Sequence, residues 1–241
     1  MSQGLKKGAL LDHGKDAIER VPDQGGRGIS PKDYSRRNRR NLIWIAIGIV
    51  AIVAIGFIFF SSKASLEFEI LDKNKKTAVL KSGAGSYGKI TIPSTVKLDG
   101  EEYTVTKIGA GAFLYCRGLN DITIPNSVTE IGNGAFSDCS DLTSVTIPNS
   151  VTELGNGAFY HCYGLTNVTI PNSVTEIGEW AFYDCSRLIS VTIPNSVTEI
   201  GDDAFQYCDG LTNVTMPARF LDRKDEIFAD CPNLKDIKTT P

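Results

Sequence analysis

Histidine is almost missing from this chain. Among 241 residues only His13 and His161 carry an imidazole, too few for a histidine-rich metal cluster or a proton relay. His161 adjoins Cys162, but the repeat register described below turns that cysteine inward and the histidine outward, which separates the two. The sequence reads as having no phosphate-binding Gly-rich loop and no defensible paired acid/base site. An enzyme is therefore not expected, and neither a cofactor nor a bound metal is. No segment combines strong basicity with suitable aromatics, so nucleic acid is not an expected partner. Cysteine is absent before Cys116, which leaves no lipid-attachment cysteine near the apolar segment.

Charge is also absent from residues 41–60. Residues 1–40 hold ten Lys/Arg against five Asp/Glu, whereas residues 61–241 hold fifteen against twenty-three. A basic head, an uncharged stretch and an acidic body is the layout of a membrane-anchored protein. Leu42 to Phe60 would span roughly 28 Å as a helix, close to the hydrocarbon thickness of a bilayer. Arg36, Arg37, Arg39 and Arg40 crowd its leading edge and only Lys63 follows closely. The positive-inside rule then puts residues 1–40 in the cytoplasm and the rest across the membrane, periplasmic or at the cell surface. Trp44 sits where an interfacial aromatic would. A cleaved signal peptide is the competing reading, since Ser62-Lys63-Ala64 offers small residues for cleavage after about Ala64. The forty-residue head and the long apolar run favour an uncleaved signal anchor at 41–60. The head itself is rich in Gly, Asp, Arg and Lys and reads as disordered.

The body is ruled by a repeat. Ile-Pro-Asn-Ser-Val-Thr-Glu starts at Ile124, Ile147, Ile170 and Ile193, each 23 residues after the last. Coils begin at Leu119, Leu142, Leu165, Leu188 and Leu211, with a partial one at Leu234. In Val145-Thr146-Ile147 the alternation points Val and Ile inward and Thr outward, a short strand. Pro148 ends it, because proline cannot donate to a ladder. Val151 and Leu154 turn inward again, and Gly155 allows a tight bend. Ala158, Phe159 and Cys162 are spaced as one helical turn facing the core. A single coil cannot bury this set, but stacked coils bury it against one another, their strands forming a parallel sheet.

These landmarks, Leu-x-x-Val-x-Ile-Pro, Ile-Gly-x-x-Ala-Phe and the Cys, resemble the BspA-type leucine-rich repeats over roughly residues 65–241. The resemblance implies a leucine-rich-repeat solenoid of short parallel strands with single helical turns. It also implies a history of adhesion and surface recognition, mostly in bacteria. The expected layout is a cytoplasmic head (1–40), an anchor helix (41–60), an N-terminal β cap (65–104) and the solenoid (105–241), whose consensus degenerates from about residue 217.

Cys116, Cys139, Cys162, Cys185, Cys208 and Cys231 recur every 23 residues at one inward position. Stacked in register, they are expected as a ladder of free buried thiols rather than disulfides or a metal site. Glu130, Glu153, Glu176 and Glu199 form a ladder of like charge, read as a solvated edge, and Thr123, Thr146, Thr169, Thr192 and Thr215 line the outer face of the sheet. The informative positions are those where the coils differ. Tyr160, His161, Tyr163, Trp180 and Tyr183 fall on one edge of two adjacent coils and form the candidate partner-binding patch. The expected function is a membrane-anchored recognition module for a protein or glycan outside the cytoplasm. The alternative is a structural or signalling subunit whose basic head contacts a cytoplasmic partner.

Overall fold

The computed structural model describes residues 65–241; the basic head and the apolar stretch expected to be an anchor lie outside the described residues. Among the described residues no helix is long and apolar enough to cross a membrane. The described chain is a solenoid whose coils contribute strands to two sheets, one more than the repeat unit suggests. The first sheet opens with β1 (Glu67–Asp72) antiparallel to β2 (Thr77–Ser82), which pairs parallel with β5 (Glu101–Ile108). β4 (Thr95–Leu98) lies antiparallel on β5. From β5 the sheet continues through two-residue strands, β7 (Glu130–Ile131), β9 (Glu153–Leu154), β11 (Glu176–Ile177) and β13 (Glu199–Ile200). The second sheet runs from β3 (Gly88–Thr91) through β6 (Leu119–Thr123), β8 (Ser144–Thr146), β10 (Asn167–Thr169), β12 (Ser190–Thr192) and β14 (Asn213–Pro217) to β15 (Asp236–Thr240). All of its pairings are parallel.

Register is strict because the repeat is. Val145 pairs with Ile122 and Val168, so each strand stacks a buried β-branched residue on its equivalent in the next coil. Glu130, Glu153, Glu176 and Glu199 are likewise direct partners across the first sheet. Glu153, Glu176 and Glu199 are exposed, as a like-charged ladder requires, and Glu130 is joined by Lys107. The fully buried Phe113, Phe136, Phe159, Phe182 and Phe205 form a rod of stacked rings, with centroids 5.0–5.2 Å apart and planes within 9° of parallel. Phe228 extends the rod into the degenerate last coil, at 5.4 Å from Phe205.

The single helical turns expected at Ala-Phe are in fact successive tight turns. Ala158 N–H donates to Gly155 C=O and Tyr160 N–H to Gly157 C=O, each three residues back. Left-handed backbone at Gly157 (φ +60°) and His161 (φ +56°) breaks what would otherwise be a helix. Gly155 is required for another reason: a Cβ there would lie 2.6 Å from the Asn133 backbone nitrogen and its Oδ1. That oxygen instead accepts the Asn156 N–H of the next coil, and Asn156 repeats the bond to Glu179.

Each thiol has a defined partner. Cys139, Cys162, Cys185 and Cys208 donate Sγ–H to the carbonyls of Phe113, Phe136, Phe159 and Phe182 in the preceding coil, at 3.2–3.3 Å. All six cysteines are free. Burial pushes the thiols of Cys139, Cys162 and Cys185 well up, while the neighbouring Cys208 sulfur lowers that of Cys231, half-buried in the last coil.

The C-terminal coil closes the first sheet with arginines. After β14 the chain forms a 3₁₀ segment (Ala218–Arg223) and a short helix α1 (Lys224–Ile227). Arg219 donates to the carbonyls of Asn195 and Val197, and Arg223 to that of Ile200 on the edge strand β13. Satisfying these groups removes a template for strand addition. The polar residues that break the consensus here therefore have a structural task.

Two outcomes follow from this packing. Phe159→Ala opens a hole in the middle of the ring stack and should cost about 3–5 kcal/mol in denaturant unfolding. A thiol-reactive probe should label Cys231 alone in the native protein and all six cysteines once it is unfolded without reductant; fewer than six would require a disulfide.

Candidate functional site

The residue before each ladder cysteine has a backbone that only a few residue types adopt readily. Tyr115, Asp138, His161, Asp184, Tyr207 and Asp230 all have φ between +51° and +60°. Glycine is the usual occupant of such a position, yet it is used in none of the six coils. Left-handed backbone costs an L-residue about 1–2 kcal/mol, and Asp and His tolerate it better than Tyr. Bonds between coils hold the conformation. Asp138 N–H donates to Tyr160 C=O, His161 N–H to Tyr183 C=O and Asp184 N–H to Gln206 C=O, at 2.8–2.9 Å. The result is a stripe along the solenoid in which aromatic rings and carboxylates occupy one register position.

Around this stripe the structure gathers four of the five sequence-predicted residues. Tyr160 stacks on Tyr183 at 4.9 Å with planes 13° apart. The His161 ring lies 3.9 Å from that of Tyr160 and 5.2 Å from that of Tyr163. His161 sits between two carboxylates, its Nδ1 3.4 Å from Asp138 and its Nε2 3.8 Å from Asp184. Trp180 stands apart: it is 40% exposed and left-handed (φ +54°), and no ring contact joins it to the others among the described residues. Tyr207 belongs to the cluster although the sequence patch omitted it; it meets Tyr183 edge-on at 5.3 Å. The 23-residue register that places Tyr207 two coils beyond His161 was the signal available for it.

The edge is electronegative. Burial raises the phenols of Tyr160, Tyr163 and Tyr183; the charge of Asp184 adds to the effect at all three, and that of Asp138 at Tyr160 and Tyr163. Asp230 raises the phenol of Tyr207. Burial also lifts the Asp184 carboxyl, an effect His161 opposes. Nearby cations are few: Arg117 lies over the Tyr115 ring at 5.9 Å.

Among the described residues no group of three His, Cys, Asp or Glu side chains converges as metal ligands. Gly83-Ala84-Gly85-Ser86-Tyr87-Gly88 spells the G-x-G-x-x-G pattern of a dinucleotide fold, a match the sequence reading did not assign. It joins β2 to β3 with no helix after it, so no helix N-terminus meets a phosphate.

Stacked coils with parallel sheets and one repeated core set define a leucine-rich-repeat solenoid. The chain belongs to the BspA type leucine rich repeat family, whose repeat region matches residues 106–235 in six copies. It is similar to the leucine-rich-repeat protein of T. pallidum, with 28% identity and a TM-score of 0.61 over 73% of this chain and 80% of that one. It is also similar to a leucine-rich-repeat protein of Bacteroides ovatus, with 30% identity and a TM-score of 0.61, covering 76% of this chain and 47% of that one. Comparison with curated proteins finds no match. Family membership supports a recognition role, which is the function this repeat scaffold ordinarily serves.

The backbone at the edge gives one direct test. Asp203 occupies a left-handed position (φ +54°) that holds glycine at Gly111, Gly134 and Gly157 in the earlier coils. Asp203→Gly should therefore raise stability by about 0.5–1 kcal/mol, read as a higher denaturant midpoint with unchanged slope.

Proposed function

We propose that this protein is a recognition module that presents the aromatic edge of its solenoid to a protein or glycan partner outside the cytoplasm, with residues 41–60 as its membrane anchor. The observation that carries this reading is the ring cluster of Tyr160, His161, Tyr163, Tyr183 and Tyr207, which lies where adjacent coils depart from the consensus. Rigid aromatic rings supply contact area at low entropic cost. Tyr163 and Tyr207 keep about two-fifths of their surface in solvent, so the cluster is not used up in packing the coils. The chain resumes as strand at Glu67, only a few residues past the apolar segment. That short tether, at no more than about 3.5 Å per residue, favours a partner close to the membrane.

A second reading rests on the basic head, ten Lys/Arg against five Asp/Glu, which suits an assembly or signalling contact in the cytoplasm. Crosslinking in native membranes, followed by mass-spectrometric identification of partners, separates the two. Replacing Tyr160, Trp180 and Tyr183 together with Ala should abolish the crosslinked species while the melting transition remains cooperative. Unchanged crosslinking in that variant, with loss on deleting residues 1–35, would instead support the second reading.

A further inference from the structure

The stripe has a period as well as a composition. Its carboxylates stand on alternate coils, Asp138, Asp184 and Asp230, and are separated along the axis by His161 and Tyr207. Strand-like stacking puts successive coils about 4.8 Å apart, so these carboxylates recur roughly every 9.6 Å. Few kinds of chain match that interval. In a polyproline II helix every third residue returns to the same face, after a rise of roughly 9.3 Å. In an ordinary extended strand, residues two apart share a face at about 6.6–6.8 Å, which does not match.

The surroundings suit such a ligand. Tyr160, Tyr163, Tyr183 and Tyr207 give flat rings beside the carboxylates, and polyproline II segments dock on aromatic-lined surfaces. The Asp138 and Asp184 side chains remain 20% and 29% exposed. Their present hydrogen-bond partners include Ser137 on Asp138, and Gln206 on Asp230. Neither of these partners carries a charge, and His161, 3.4 Å from Asp138 and 3.8 Å from Asp184, can neutralise at most one of the two carboxylates when protonated. The chain also shows how a cation sits on this stripe, since the Arg117 guanidinium already lies over the Tyr115 ring.

We infer that the stripe Tyr115–Asp230 docks a basic polyproline II segment of a protein partner, lying along the solenoid axis with a Lys or Arg at every third residue. Each cation meets one of Asp138, Asp184 and Asp230, and the intervening residues lie on the tyrosine rings. This rests on the recognition reading above and commits it to a protein rather than a glycan.

The test uses the full chain in detergent micelles and labelled peptides of three lysines each, read by fluorescence anisotropy. The peptides are (Lys-Pro-Pro)3, (Lys-Pro)3 and (Lys-Pro-Pro-Pro)3, with (Glu-Pro-Pro)3 as the charge reversal. The every-third-residue peptide should bind about tenfold more tightly than either of the other lysine spacings, and the glutamate peptide should not bind. Asp138→Asn, Asp184→Asn and Asp230→Asn together should erase that preference. Glu153→Gln, Glu176→Gln and Glu199→Gln, on the first sheet, should leave it within about twofold. Equal binding by all three lysine spacings would show unspecific charge attraction and overturn the inference. The spacing series needs no variant, so a misfolded mutant cannot mask the result. If spacing is ignored while the Tyr160, Trp180 and Tyr183 replacement still abolishes crosslinking, the recognition reading stands and only the basic polyproline ligand falls.

Discussion

Everything in this fold depends on like stacking on like. A coil of 23 residues holds an apolar set, Val, Ile, Ala, Phe, Cys and Leu, too large for it to cover alone. Only the same set in the next coil fits over it, as the parallel Phe rings show at 5.0–5.2 Å. That constraint fixes the register of both sheets, and it keeps all but the last of the six thiols buried at one depth. It explains the thiol bonds too. A cysteine at this position reaches a Phe carbonyl of the coil before it, giving a second donor to an oxygen that already accepts a backbone N–H. Because each coil depends on its neighbours, the ends carry the heaviest demands. At one end β1, β2 and β4 cover the first sheet; at the other Arg219 and Arg223 hold its last carbonyls.

The core was readable from the sequence because burial tolerates few residue types. Phe159 and Cys162 announce inward positions by recurring unchanged, and Val145 by exchanging only with Ile. The first sheet was less legible. Glu-Ile is only a dipeptide, too short to show alternation, and its strand character comes from pairing with the equivalent dipeptide in the next coil rather than from the segment itself. The single helical turns were misjudged for a related reason. Ala158, Phe159 and Cys162 have helical spacing, but the left-handed residues Gly157 and His161 around them turn the chain too tightly for a helix. A glycine advertises such a site in sequence; a histidine or tyrosine does not. The same blindness hid Tyr207, whose membership of the cluster follows from its backbone position and not from its neighbours in sequence. Trp180 lies at the opposite limit. Sequence adjacency suggested a place in the patch, and the turn at its own backbone sets it apart from the rings.

Repetition also has an electrostatic consequence that separates the two acidic columns. The glutamate ladder places a carboxylate on every coil. Neighbouring charges about 4.8 Å apart repel by roughly 0.9 kcal/mol per pair even in water, so such a ladder is confined to the exposed face of a sheet, where the side chains splay into solvent. The stripe beside the cysteines is partly buried and could not carry a charge on every coil at that spacing without losing stability. Placing carboxylates on alternate coils doubles their separation and halves each pairwise term. The coils between are free for rings and for His161. Charge, aromatic surface and spacing at this edge thus arise together from one condition: a partly buried column in a stacked repeat must alternate. A partner that reads the column must carry the same alternation, so the period of the irregular residues, more than the identity of any one of them, is what this scaffold offers for recognition.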